Sequence, residues 1–325
     1  MSVVRCYLAA FLVVVAGVRY SDGAALSASS TVEVEAGYAV HPVDSGSTEP
    51  LNSPYAACAA TPTLSLALSP RWTVSASGEV RIAPYFLSGV DWNASAEVRA
   101  QYRLGRNALS VGTSAGYFSL PSQFDQDRLA QCTMVRGLVE HTLQSTSTLT
   151  TAYQVDGLRD TRDGSWIARH RFKAKVALGV RPTLRPVLKA GLTWRGTTGG
   201  DPTHYVEPYT GTDLSWLPTD RDMVTLALYS ALRLHPSSAS SRGAGHVPPG
   251  QDRSTPADTA DTWNALGMVS YTRDLTARLN AYAEFEVMNV MQFDRRTTFQ
   301  SWRCGAGIGW LLEPPQPSER SGRIQ

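Results

Sequence analysis

Four basic side chains recur at every second position of one segment and are the residues best placed to do chemistry. They are Arg169, Arg171, Lys173 and Lys175, and the positions between them are His170, Phe172, Ala174 and Val176. Side chains on an extended strand point to opposite faces in turn, so the four cations share one face. Rows of Arg and Lys along a water-filled passage select anions.

The same alternation places further charges on the polar faces of other segments. The residues predicted to line a pore are Arg99, Arg103, Arg136, Arg169, Arg171, Lys173, Lys175, Lys189, Arg195, Glu97, Glu140, Glu284 and Glu286. With Arg81, Arg278, Arg303, Glu33, Glu35, Glu79 and Asp156 the polar faces carry 12 basic and 8 acidic residues. The excess of basic residues predicts a mild preference for anions.

Histidines and cysteines give weaker signals for chemistry. A hydrolase site in an outer-membrane protein needs His with Ser, Asp or Asn, but His141 and His170 lie on apolar faces with no nucleophile motif. We therefore predict no catalytic residues, no cofactor, no metal site and no enzymatic activity. Cys58, Cys132 and Cys304 match no metal-site spacing, and Cys58 and Cys132 are either paired or free thiols.

The elements that position these charges are long alternating strands. Residues 92–104 place Trp92, Val98 and Leu104 on one face and Glu97 and Arg99 on the other, without interruption over 13 residues. Soluble strands usually have about 5–6 residues, whereas a tilted membrane-spanning strand needs about 9–11.

The pattern repeats along the chain and predicts an all-β fold, an antiparallel transmembrane β-barrel of about 14 strands with 12 as the alternative. The predicted strands are 31–40, 63–69, 72–83, 92–104, 108–118, 132–143, 148–156, 167–180, 186–196, 205–217, 222–234, 262–272, 275–287 and 298–312. Pro208 and Gly211 interrupt the pattern in 205–217, but the alternation of long loops and short turns requires that strand.

Three regions follow from composition. Arg5 and the apolar residues 7–18 are typical of an export signal, so residues 1–28 are predicted to be a signal peptide. Residues 31–312 form the barrel, with a mobile loop at 235–261 rich in Ser, Gly, Pro and Asp, and residues 313–325 form a C-terminal tail. A net charge of +2 gives no argument for nucleic acid.

These features together resemble bacterial outer-membrane β-barrel proteins as a broad class. The final segment, with Trp310 and Leu312 on its apolar face, is similar to the C-terminal strand through which such barrels are recognised for assembly. A count of 14 strands is similar to the long-chain fatty-acid transporter family by strand number alone. The resemblance implies outer-membrane localisation, with lipid and the barrel-assembly machinery as partners.

Three functions are compatible with this pattern. The first is a porin-like channel for small, anionic or amphipathic solutes, and its counterpart is a lumen filled by salt bridges. The second is a non-conducting surface adhesin or ligand-binding barrel that uses the loops 41–62, 197–204 and 235–261. The third, an outer-membrane hydrolase, is the least supported. The sequence does not specify the oligomeric state.

Overall fold

The computed structural model describes residues 25–41, 51–85, 89–118, 132–160, 166–179, 183–197, 204–235, 261–293 and 297–312. Residues 1–24 of the predicted signal peptide, most of the predicted loop 235–261 and the C-terminal tail lie outside these residues. Within the described part of the chain, no helix is long and apolar enough to cross a membrane.

Fourteen antiparallel strands form one closed barrel in which chain order is also spatial order. The strands are β1 (Ala25–His41), β2 (Leu51–Ala67), β3 (Trp72–Tyr85), β4 (Gly89–Leu104), β5 (Asn107–Phe118), β6 (Cys132–Gln144), β7 (Ser147–Asp160), β8 (Trp166–Leu178), β9 (Leu184–Thr197), β10 (Tyr205–Trp216), β11 (Asp222–Arg233), β12 (Thr262–Asp274), β13 (Leu279–Gln292) and β14 (Thr297–Leu312). The predicted fold class is confirmed, and the count is 14 rather than 12.

Closure is made by the first and last strands. β1 pairs with β14 from Ser30 opposite Leu312 to Val40 opposite Trp302. Because no sheet edge remains, every strand has a partner on both sides, as a strand in lipid requires. The short turns lie at the end of the barrel that also holds the start of β1 and the end of β14. This end is the short-turn rim, and the opposite end is the long-loop rim.

Several predicted strand boundaries were wrong. Most of the predicted loop 41–62 belongs to β2, which pairs with β1 without a break although it contains Pro54 and Pro62. A proline lacks the N–H for one ladder bond, and the β2–β3 pairing skips residue 62 while β1 still pairs with it. The turn predicted near residues 273–274 occupies 275–278, because β12 extends through Asp274. β1 begins at Ala25, six residues before the predicted strand and inside the segment assigned to the signal.

The outer face of the barrel is apolar and exposed. The exposed side chains include Val34, Val98, Phe172, Leu188 and Trp310, and Phe172 has 58% of its surface accessible. At the short-turn rim Trp72 and Tyr102 contact each other with ring centroids 4.9 Å apart. Aliphatic residues flanked by aromatic residues form the face that a barrel presents to lipid.

The inner face carries the polar and charged residues, together with tyrosines that lie over glycines. A Cβ at Gly307 would lie 2.6 Å from the ring of Tyr282, and one at Gly305 would lie 2.6 Å from the hydroxyl of Tyr55. These positions require glycine because the neighbouring ring occupies the space of a side chain. These inward glycines therefore lie beneath aromatic rings.

Candidate functional site in the barrel lumen

A single buried carboxylate organises one side of the lumen. Asp156 on β7 lies opposite Arg136 on β6 and Arg169 on β8, because antiparallel neighbours in register share a face. Its oxygens accept from Arg136 Nε at 2.8 Å and lie 3.0 Å from Arg169 Nη2 and 3.5 Å from Arg171 Nη2. Asp156 is fully buried. Three guanidiniums around one carboxylate leave this cluster with a net positive charge.

The positive charge continues along β8 and β9. Arg195 lies directly opposite Arg169, and Lys189 lies directly opposite Lys175, so like charges face each other across the strand pair. Like charges in directly opposed positions destabilise a sheet unless other groups compensate them. Lys189 Nζ contacts Asp213 Oδ2 of β10 at 2.5 Å.

A hydrogen-bonded pair extends the Asp156 cluster to Lys173. Gln154 donates through Nε2 to Asp156 Oδ1 at 2.7 Å, and its Oε1 accepts from Lys173 Nζ at 2.7 Å. The row 169–175 is therefore fixed at one end by ion pairs and in its middle by an amide. Lys175, the fourth member of the row, is exposed.

We call the inner face of β6 to β9 the basic wall. Its described side chains include eight basic residues and two carboxylates: Arg136, Arg169, Arg171, Lys173, Lys175, Arg185, Lys189 and Arg195, with Glu140 and Asp156.

Three inward charges on β10 and β11 were not predicted from the sequence. Glu207 accepts from Arg233 Nε at 2.8 Å, and the Arg233 guanidinium lies 4.0 Å from the ring centroid of buried Tyr205. The third is Asp213. Pro208 and Gly211 interrupt the alternation of β10 in the sequence. Both residues are compatible with the strand, because Pro208 points outward and Gly211 lies against Tyr229. The regular loop parity was the signal that a strand belonged here.

The opposite sign dominates β13, β14 and β1. Arg303 Nη2 contacts Glu284 Oε1 at 2.7 Å and Glu286 Oε2 at 3.6 Å. Glu35 accepts hydrogen bonds from the hydroxyls of Tyr55 and Tyr282, the latter at 3.4 Å. We call this inner face the acidic wall; its described charged side chains are Glu33, Glu35, Glu284, Glu286 and Arg303.

The two walls face each other across the barrel. In a ring of 14 strands in chain order, β8 lies opposite β1, and β6 lies opposite β13. The ion pairs described above join strands no more than two positions apart in that ring, so they run along each wall. The lumen therefore has one positive and one negative side.

Between the walls, β4 contributes a smaller network. Arg99 Nε contacts Glu97 Oε1 at 3.0 Å, and Arg99 Nη1 lies 3.5 Å from Glu140 Oε1 of β6. Arg103 Nε donates to Gln101 Oε1 at 2.9 Å. With these, all thirteen residues predicted to line a pore lie on the inward-facing parity of their strands.

Histidines on the outer face form pairs instead of entering the lumen. His141 Nε2 lies 3.1 Å from Asn107 Oδ1, and His170 Nδ1 lies 2.8 Å from the Tyr153 hydroxyl. His170 also stacks on Trp194. Cys58 is free and exposed. In the described part of the chain, no three His, Cys, Asp or Glu side chains are grouped to hold a metal ion.

Comparisons with known proteins identify the fold and no family. No protein-family model and no curated protein matches the chain. A loop L8 deletion mutant of OmpT, an outer membrane protein of Vibrio cholerae, is 8% identical, with 90% of this chain and 100% of that chain covered and a TM-score of 0.52. An anion-selective porin from Comamonas acidovorans is 7% identical, with 89% and 100% covered and a TM-score of 0.51.

The prediction that the chain is not an enzyme was wrong in excluding activity. Structures that share the fold include OmpT proteins as well as a porin, and identities below 10% carry the fold alone. The barrel fold alone therefore does not show whether the protein transports solutes or catalyses a reaction. The comparisons and the apolar outer face together support one conclusion: the chain has the fold of bacterial outer-membrane β-barrel proteins, with an outer face suited to lipid.

Proposed function

We propose that this protein is a channel for small solutes, with a preference for anions and for molecules that carry both charges. The observation that carries the proposal is the pair of oppositely charged walls, each with its ion pairs running along the wall. Ionised groups are costly to bury without water or partners, so the exposed Lys175 of the basic wall favours a hydrated passage.

The two walls also suggest how a solute would be oriented. A solute with a carboxylate and an ammonium group would turn its anionic end toward β8 and its cationic end toward β1. Simple anions would follow the basic wall, where Lys175 is exposed and Lys173 is held by a neutral amide. We also infer that β14 serves the barrel-assembly machinery, since its exposed Ile308, Trp310 and Leu312 form an apolar row.

Conductance of the purified barrel in planar bilayers tests the proposal. The channel predicts stepwise openings that persist at moderate voltage and a reversal potential on the anion side. A barrel that migrates as a folded, heat-modifiable species but shows no openings contradicts the proposal and favours the surface-binding alternative.

A further inference from the structure

One structural device repeats at the short-turn rim. The residue before each odd-numbered strand from β3 to β13 occupies an equivalent turn position, and at four of the six positions it is arginine. These four are Arg71, Arg106, Arg221 and Arg278.

The backbone fixes these arginines in the sheet. The carbonyl of Arg71 accepts from the N–H of Arg103, that of Arg106 from Gln144, that of Arg221 from Asp274 and that of Arg278 from Leu311, each at 2.8 Å. Thr183 accepts from Leu217 in the same way at 2.9 Å. Each bond extends the ladder between the odd-numbered strand and the strand that follows it by one residue pair. The arginine backbone is therefore part of the sheet rather than of a free loop.

The register sets the direction of the arginines. Trp72 is paired with Tyr102 on the outer face, so the next pair, Arg71 and Arg103, lies on the inner face. The same step from Asn107 with Leu143 and from Leu279 with Trp310 places Arg106 and Arg278 on the inner face. The arginines therefore surround the mouth of the lumen rather than the lipid boundary.

We call the set Arg71, Arg103, Arg106, Arg185, Arg221 and Arg278 the arginine rim. All six side chains are exposed. Arg71, Arg103 and Arg106 form a continuous arc over β3, β4 and β5, in which Arg71 and Arg103 are directly opposed like charges. Arg221 differs because it lies opposite Asp274.

We propose that the arginine rim captures polyvalent oxyanions of the phosphate type at the short-turn mouth of the barrel. Guanidinium groups present paired N–H donors that match phosphate oxygens. Several guanidinium groups at one mouth bind an anion with several charges more tightly than an anion with one charge. This proposal rests on the proposed channel function and adds to it a class of ligand for the short-turn mouth. It also makes the two ends of the channel different, because only one end binds the anion. Arg185, at the start of β9, belongs to both the rim and the basic wall. The other five arginines of the rim lie outside the basic wall.

Inorganic tripolyphosphate is the probe, and the double variant R71Q/R106Q is the test. Glutamine keeps the backbone carbonyls that close the ladder, so the fold is retained. The matched control R159Q/R273Q removes two arginines whose strand parity faces outward. Calorimetric titration of the folded protein in detergent micelles is expected to show binding that weakens by about tenfold in the rim variant and by less than about twofold in the control.

The second measurement is one-sided block of single channels. Tripolyphosphate added to one side of the bilayer should reduce current, and the same concentration on the other side should not. Binding that is equal in all three proteins, or block that is equal from both sides, overturns the proposal even when conductance is normal. If the barrel never conducts but binds tripolyphosphate in an arginine-dependent way, the binding site at the rim is supported and the channel function is contradicted. Binding that appears only in vesicles of phosphatidylglycerol, without free tripolyphosphate affinity, assigns the rim to lipid headgroups and also overturns it.

Discussion

At the scale of single residues, Asp156 is the structural centre of the basic wall. It is fully buried and contacts three guanidiniums. Removing one partner of a buried ion pair costs about 3–5 kcal/mol, because the remaining charges lose their compensation. Asp156 was recognised in the sequence as an inward charge, but its central place could not be, since that depends on register between three strands.

Asp156→Asn is therefore expected to lower the free energy of unfolding by about 3–5 kcal/mol. Urea unfolding in lipid vesicles, followed by tryptophan fluorescence, measures this change. Asp213→Asn is the matched control, because its partner Lys189 has 38% of its side chain exposed and a screened pair contributes about 0–1 kcal/mol. If both variants lost the same free energy of unfolding, Asp156 would not be the structural centre of the basic wall.

At the scale of strands, the inner faces are shaped by contacts between tyrosines and glycines. Tyr282 lies over Gly307 of the neighbouring strand, so the pairing of β13 with β14 depends on the missing side chain as well as on backbone bonds. Alternation in the sequence identified both faces of these strands but gave no sign of which glycine a ring would cover.

Gly307→Ala is expected to destabilise the barrel by about 1–3 kcal/mol, because the new Cβ would lie 2.5 Å from the Val34 carbonyl oxygen and 2.6 Å from the Tyr282 ring. The loss of heat-modifiable folded protein on electrophoresis, measured against temperature, reports this effect. Gly137→Ala serves as control, since no heavy atom lies within 4 Å of its added Cβ. A Gly307→Ala barrel as heat-stable as the Gly137→Ala barrel would show that the Tyr282 ring and the Val34 carbonyl make room without cost.

Strand existence was predictable wherever alternation was uninterrupted, as in β4 and β8. Pro54 and Pro62 prevented the prediction of most of β2. A proline interrupts the hydrogen bonds to one neighbouring strand, and the sequence does not show that the strand on the other side still pairs. The inward placement of every residue predicted to line a pore follows from parity, since a period of two fixes the face once one residue is assigned. Partners such as Glu207 with Arg233 depend on which strands become neighbours and on loop parity.

At the scale of the whole molecule, strand order converts local charge into a field across the lumen. The sequence already shows the excess of basic residues on the polar faces and the acidic pair Glu284 and Glu286. Only closure of the ring places β8 opposite β1 and thereby separates the signs. A net excess of basic residues alone would predict uniform anion attraction, whereas opposite walls predict that each wall can be altered independently.

Neutralising the basic wall is expected to reduce anion selectivity without closing the channel. The double variant K173Q/K175Q removes two charges that lie outside the Asp156 ion pairs, so the barrel keeps its fold. Glu33→Gln changes the acidic wall, where Glu33 is exposed, and is expected to shift selectivity in the opposite direction. Folded yield and single-channel conductance at high salt, where charges are screened, control for damage to the passage.

The reversal potential of single channels in a tenfold gradient of KCl is the most direct test of the central claim. Two opposed walls predict an anion-side potential for the unaltered protein, a shift toward zero for K173Q/K175Q and a larger anion-side potential for Glu33→Gln. Openings with the same reversal potential in all three proteins, or a folded barrel without openings, would contradict the claim that these walls line a conducting lumen.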